Sequence, residues 1–225
     1  MTNNTKIHSL RFITVEGGEG AGKTTLIEHL ERNLIANGMT VVKTREPGGT
    51  PLGEQIRSWL LAHNDKVQIK ARAELLLFLA ARSQHIDDVI KPALDAGHVV
   101  ICDRFNDSSV AYQGAGRQLG VDWVRTLCDI ACGSVVPDLT FYLDVDPLIG
   151  LQRTRRTPKE NSGVGEVDRI EAEKRDFHER VRLAFIAFVK NEPQRFCYID
   201  ANKTQNSVIE EALQVLNKQL ARDHV

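Results

Sequence analysis

The sequence predicts an α/β fold, a five-stranded parallel sheet with helices on both faces. Two observations carry this. Short apolar runs rich in β-branched and aromatic residues alternate along the whole chain with segments whose leucines and isoleucines recur at helical spacing. The first such run, Phe12-Ile13-Thr14-Val15-Glu16, leads into Gly17-Gly18-Glu19-Gly20-Ala21-Gly22-Lys23-Thr24-Thr25 and then into a helix marked by Leu26, Leu30 and Leu34. Strand, glycine-rich loop and helix in that order are the opening unit of a nucleotide-binding sheet.

Taken in order, residues 1–9 are polar and unpatterned and read as a mobile tail ahead of one domain spanning 10–222. Asn37-Gly38 stops the first helix, and Thr40 to Thr44 forms the second strand. Arg45-Glu46-Pro47-Gly48-Gly49-Thr50-Pro51 follows, at a strand carboxyl end, where such sheets place ligand-contacting loops. Leu52 to Leu61 is a helix with Ile56 and Leu60 on one face. A long helical region runs from Ala71 to Ala96 through Leu75-Leu76-Leu77-Phe78-Leu79-Ala80-Ala81, with Pro92 starting or kinking its last turns. Arg82 ends that apolar run, where a mostly buried helix would exclude a charge. His98 to Asp103 is a buried strand followed by an exposed polar loop, and Val121 to Ala131 is the next helix. Leu139 to Val145 is the fourth strand. The helix from Pro147 runs into a basic flap, about 153–168, and a further helix spans Ile170 to Lys190. Phe196 to Asp200 is the fifth strand, and Ile209, Leu213, Leu216 and Leu220 line one side of the last helix, with Thr204 or Ser207 available as its cap.

The loop Gly17 to Thr25 has the chemistry of a polyphosphate cradle. Glycines that can take positive φ turn several backbone N–H groups inward without a Cβ in the way. The helix start adds its unpaired N–H groups and the positive end of its dipole. Lys23 would reach the β- and γ-phosphates, and the Thr24 hydroxyl would coordinate Mg²⁺. The bland alternative is a turn with Lys23 merely solvated. It is disfavoured because strand, loop and helix all stand where the motif needs them.

Composition narrows the classes. A chain of 225 residues suits one substantial core, and 42% hydrophobic with 26% charged residues is ordinary for a water-soluble protein. A formal charge of −1 gives no general attraction to polyanions, so a polymer nucleic acid partner is not expected. With no apolar run of membrane-spanning length and no signal-peptide core, a cytoplasmic location without membrane association is expected. Cys102, Cys128, Cys132 and Cys197 lack paired ligand spacing and read as reduced thiols, with Leu127, Ile130 and Ala131 on the buried face beside them.

Two strands end in an acid, Asp103 and Asp144, and either could be the second metal-site carboxylate. Asp103 is the better candidate, since Asp144-Val145-Asp146-Pro147 looks like the cap of a helix. The stretch Asp103-Arg104-Phe105-Asn106-Asp107-Ser108-Ser109-Val110-Ala111-Tyr112-Gln113-Gly114 resembles the thymidylate (dTMP) kinases. So do Thr44-Arg45-Glu46-Pro47-Gly48-Gly49-Thr50, Ala80-Ala81-Arg82, Tyr142-Leu143-Asp144-Val145 and Asp168-Arg169-Ile170-Glu171, in the family's order from about residue 10 to 200.

That resemblance implies a nucleoside monophosphate kinase fold with a short lid, ATP as donor with Mg²⁺, and transfer of the γ-phosphoryl to dTMP on the way to dTTP. It also implies a homodimer. The residues suit such a reaction independently: an acceptor phosphate is already ionised and needs no general base, so the obstacle is repulsion between anions, which cations relieve. By position, Arg104 and Arg45 look like the clamp on the acceptor phosphate, Phe78 like the aromatic stacked on thymine, and Arg82 like the donor to a thymine carbonyl. Ser109 and Gln113 resemble base-pocket positions, Tyr112 the ring that crowds the sugar C2′, and Asp168 a further substrate contact. Glu19, an acid within an anion cradle, must point away from the phosphates; the resemblance turns it to the acceptor's sugar hydroxyl and nearby metal-bound water. The loop has no arginine, so the resemblance assigns the catalytic arginine to the flap, where Arg153, Arg155 and Arg156 stand and the choice stays open. The rivals are a kinase for another nucleoside monophosphate and a GTP-dependent switch. Against the switch, Asn202-Lys203-Thr204-Gln205 has Gln205 where a guanine-specifying acid belongs.

Overall fold

The computed structural model describes residues 10–61, 68–156 and 169–222, with the backbone alone for 154–156 and 222. The predicted tail, most of the flap and Asp168 lie outside the described residues. Five strands form one parallel sheet in the order β2-β3-β1-β4-β5: β1 (Phe12–Gly17), β2 (Val41–Arg45), β3 (Val99–Asp103), β4 (Leu139–Asp144) and β5 (Phe196–Asp200). Central β1 pairs with β3 through Val15↔Asp103 and with β4 through Gly17↔Leu143. This register brings Asp103 and the end of β1 to the same, carboxyl-terminal end of the sheet.

The pleat divides β1 between two cores. Ile13 and Val15 face helices α1 (Lys23–Ala36) and α9 (Gln205–Arg222), against Leu26, Leu30, Leu34, Ala212 and Leu216. Each large aliphatic side chain buried there contributes ~1.5–3 kcal/mol. Phe12 points the other way, into a core with Cys102, Phe105 and Ile90. That face is covered by α3 (Ala71–His85), α4 (Lys91–Asp95), α6 (Val121–Cys132) and α8 (Arg175–Asn191). Helix α2 (Pro51–Leu61) lies over α3 and buries Ile56 and Leu60 as predicted. Thr204 is the cap used for α9, its Oγ1 accepting the Ser207 N–H at 3.3 Å.

Several expectations are corrected. The long helix 71–96 is interrupted by a π-helical turn, Ile86–Ile90, which hands over to α4 with Pro92 in its first turn. A proline there costs little, because the start of a helix already has spare N–H positions. The polar stretch after Asp103 is no exposed loop: it folds as α5 (Asn106–Ser109) and a π-helical segment, Val110–Gly116, and is largely buried. Its polar side chains have partners that composition does not show. Asp107 is paired with Arg195 at 2.6 Å, and Ser109 accepts from Arg82 at 2.9 Å. The helix expected from Ile170 begins at Arg175, after a turn. Ile130 is 74% exposed, on the solvent side of α6. The cysteines carry free thiols, three buried and Cys197 half-buried.

Candidate active site

The loop between β1 and α1 depends on glycine at two points of close approach or unusual backbone. Gly20 has φ 66°, and a Cβ there would come within 2.1 Å of the Gly150 carbonyl oxygen; a Cβ on Gly150 would meet the Glu19 carbonyl at 2.2 Å. The pair lets α7 (Pro147–Arg156), the helix that leads to the flap, rest directly on the loop. Gly22, at φ 92°, caps α1 without a side chain, and nothing stands within 4 Å of where its Cβ would be. The first N–H groups of a fourteen-residue helix are thereby left for an anion. Lys23 Nζ donates to the Gly17 and Gly18 carbonyls at 3.2 and 3.0 Å, inside the loop it would serve. Burial, then the Arg104 charge, pulls its pKa down, a bias that an anionic phosphate would reverse.

Across the cleft, Arg104 ends the β3 turn with a left-handed backbone, φ 68°. Its Nη2 donates to Glu19 Oε1 at 2.6 Å, its Nη1 to Ser108 Oγ at 3.3 Å, and its guanidinium lies 5.0 Å from the Tyr112 ring centroid. Glu19 therefore turns away from the phosphate cradle, as its charge demands. Two hydrogen bonds pin the chain beyond Arg104: fully buried Glu16 accepts the Phe105 N–H at 2.8 Å and the Ser108 hydroxyl at 2.6 Å. Burial, with the nearby Asp107 charge, raises the Glu16 carboxyl to about 7. Arg82 is 1% exposed; it donates to Glu46 at 2.7 Å, Ser109 at 2.9 Å and the Phe105 carbonyl at 3.0 Å. Glu46 Oε1 also accepts from His85 Nδ1 at 3.0 Å in the ring tautomer that carries its hydrogen there.

These groups open on one cavity of about 500 Å³. It is lined by Glu19 through Thr25 on one side and by Arg45, Phe78, Arg82, Asp103, Arg104, Ser109, Tyr112 and Gln113 on the other, with Arg153 between. Gly17 and Gly18 are not part of that lining, and Gly18 borders a second, small cavity of about 20 Å³. Arg153 Nη1 donates to Ala201 O at 3.0 Å and Gly20 O at 3.4 Å, which ties α7 to the loop. Arg155 stands in α7, and its side chain lies outside the described residues. Arg45 reaches Glu54 at 3.0 Å on the surface, a screened pair that an arriving anion could replace at little cost. Asp103 Oδ1 is buried with no hydrogen-bond partner among the described residues. Asp144 is committed to a structural ion pair instead. Arg182 donates to both its oxygens at 2.7 and 2.8 Å, and Tyr142 and Tyr198 add further bonds. The cap of α7 is Asp146, which accepts the Leu148 N–H at 2.8 Å.

The cavity includes residues that sequence reasoning passed over. Arg57 of α2 lines it and donates to the Pro47 carbonyl at 2.8 Å. Only its place one residue past buried Ile56 hinted that it faces inward. Glu16 was legible as an acid on a buried strand, as Asp103 and Asp144 were, yet its partners come from a loop 89 residues on.

A family model described as thymidylate kinase matches residues 15–212. The chain belongs to the thymidylate kinase family. The thymidylate kinase of Protochlamydia amoebophila is 53% identical over 208 residues, 92% of each chain. That of Magnetococcus marinus is 49% identical over 193 residues, 86% of this chain and 89% of its own. The crystal structure of thymidylate kinase from Ehrlichia chaffeensis superposes with a TM-score of 0.68 at 36% identity, covering 92% of this chain and 98% of that one. Thymidylate kinases are phosphotransferases that use ATP to convert dTMP to dTDP, and membership places this chain among them.

Proposed function

We propose that the 500 Å³ cavity holds both substrates of this reaction, ATP by the loop Gly17 to Thr25 and dTMP by the residues opposite. The observation that carries the reading is the arrangement of charge. Lys23, Arg45, Arg57, Arg104 and Arg153 converge on one cleft beside a glycine-capped helix start, as repulsion between two phosphates requires. Arg104 and Arg45 clamp the acceptor phosphate with planar guanidinium groups, and Glu19 holds Arg104 in line until it arrives. Phe78 stacks on the base, Arg82, Ser109 and Gln113 read its edge, and Tyr112, fixed under Arg104, crowds the sugar. Asp168 is a further substrate contact at the end of the flap.

Thr24 and Asp103 fit Mg²⁺. A buried carboxylate oxygen with no partner among the described residues, on the same cavity as a hydroxyl, suits a hard cation that takes its other ligands from phosphate and water. When bound, the ion would neutralise charge on the donor phosphates. Residues 10–222 act as one domain, with the flap, about 153–168, as its lid and Arg153, Arg155 or Arg156 as the source of a cation at the transferring phosphoryl. Trp59, Leu76, Trp123 and Ile130 are exposed on the neighbouring helices α2, α3 and α6, which supports a homodimer formed through that face. No helix among the described residues is long and apolar enough to cross a membrane, in keeping with a protein that works in the cytoplasm.

The test is an assay of ADP formation with ATP or GTP against dTMP, dUMP, dCMP and dGMP. Turnover should depend on dTMP and prefer ATP, and Lys23→Ala should lower it by ~10³ or more while the circular dichroism spectrum is kept. Near-normal turnover by folded Lys23→Ala, or equal use of all four acceptors, would remove the reading.

A further inference from the structure

We infer that Glu74 is a positioning residue that sets the hydrogen-bond polarity of the base pocket, by holding the Gln113 side-chain amide with its oxygen toward the cavity. The inference deepens the assignment of Gln113 to that pocket and rests on it.

Glu74 sits in the first turn of α3, fully buried, and does not line the cavity. Its Oε1 accepts from Gln113 Nε2 at 2.9 Å and from Arg117 Nε at 3.1 Å, and its Oε2 from Arg117 Nη2 at 3.1 Å and Arg169 Nη2 at 2.6 Å. Burial alone would push its carboxyl up. The Arg117 and Gln113 hydrogen bonds and the Arg117 and Arg169 charges outweigh that and hold it below the usual carboxylate range. An ionised carboxylate can only accept, so the Gln113 amide must turn its NH₂ inward to Glu74. Gln113 itself lines the cavity, and its Oε1 has no partner among the described residues. The amide oxygen is thus offered to whatever binds there.

Arg82 offers the opposite polarity. Four of its five N–H groups are committed, to Glu46, Ser109, Cys128 and the Phe105 carbonyl, which leaves one donor. A pocket that shows one N–H and one carbonyl oxygen matches the thymine edge, where O4 accepts and N3–H donates. Cytosine reverses both, with N4–H₂ a donor and N3 an acceptor. Guanine shares the thymine polarity, so its exclusion falls to pocket size. Swapping Glu74 for a group that can also donate removes the reason for Gln113 to face one way.

The experiment measures kcat/KM for dTMP and dCMP with wild type, Glu74→Gln and Glu173→Ala. Glu173→Ala loosens the same network by removing the Arg117–Glu173 pair, yet leaves Arg117 and Arg169 on Glu74 and so keeps the acceptor-only carboxylate on Gln113. Glu74→Gln should lower the dTMP:dCMP ratio by ~10-fold or more with the ATP KM unchanged, since a misfaced amide leaves buried polar groups unpaired. Glu173→Ala should lower the melting temperature and keep the ratio. A Glu74→Gln enzyme that retains the wild-type ratio, or an equal fall in both variants, overturns the inference and leaves the pocket assignment standing. A wild type indifferent between dTMP and dCMP overturns both. Should Glu74→Gln not fold, hydrogen exchange of the Gln113 side-chain NH₂ in wild type, assigned by its loss in Gln113→Asn, decides the point. Slow exchange is expected, and exchange at the solvent rate overturns it.

Discussion

Glu16 makes stability depend on pH in a way that one substitution should abolish. Its carboxyl is fully buried between β1 and α5, faced by Asp107 and Ser108 of α5, Arg104 and the Phe105 N–H of the β3 turn, and more distantly Lys23 of α1, Cys102 of β3 and Tyr112. Burial, then Asp107, raises it from the ordinary 4.5 to about 7 against the pull of Arg104. The folded chain therefore holds this proton more tightly than the unfolded one. The contribution to stability is fully present below the ordinary value of 4.5 and is lost as pH rises through about 7. At 1.36 kcal/mol per tenfold change in proton affinity, the gap amounts to ~3 kcal/mol. Glu16→Gln is neutral throughout. Its oxygen can accept the Phe105 N–H, and its NH₂ can donate to Ser108 Oγ, a hydroxyl able to play either part. Urea unfolding of both proteins at about pH 5 and about pH 8 should show the variant gaining most of that ~3 kcal/mol relative to wild type over the interval, with little further change above it. A difference between the two proteins that does not move with pH would refute the reasoning. Because Glu16 also pins the turn that aims Arg104, the dTMP KM serves as a second readout of whether the amide keeps the geometry.

Two further outcomes follow from the site. Arg153→Ala should reduce kcat by ~10³ while shifting either substrate's KM much less, since an arginine acting on the transferring phosphoryl works in the transition state; if Arg155→Ala or Arg156→Ala fails instead, the lid mechanism keeps a different residue, and if all three turn over normally it is wrong. Asp103→Asn should raise the Mg²⁺ concentration needed for half-maximal rate by ~10-fold or more and leave the fold intact, because Oδ1 has no partner among the described residues to lose; an unchanged Mg²⁺ titration would take Asp103 out of the metal site.

Helical and strand periodicities made the parallel sheet legible in the sequence, and the spacing Gly17 to Thr25 did the same for the phosphate loop, because both are short-range patterns that obey local geometry. The acceptor-side residues from Arg45 to Gln113 were legible through motifs, and the fold brings those that are described onto one cavity. What the sequence left open are the partners of its charges. Arg82 stood out as a charge with no core explanation, yet it is almost fully buried against Glu46, so Arg82→Ala would strand a buried carboxylate at ~3–5 kcal/mol and is a poor test of base recognition. Asp144 looked like a helix cap and is the anchor of Arg182; Ser108 and Asp107 looked like loop residues and are held by Glu16 and Arg195. Composition marks such residues as polar, and only the packing of distant elements decides whether a polar side chain meets solvent or a partner. The local chain thus determined the sheet and its glycine-rich loop, while tertiary packing decided the polarity and ionisation of the groups around that loop, since those depend on neighbours 27 to 95 residues away along the chain.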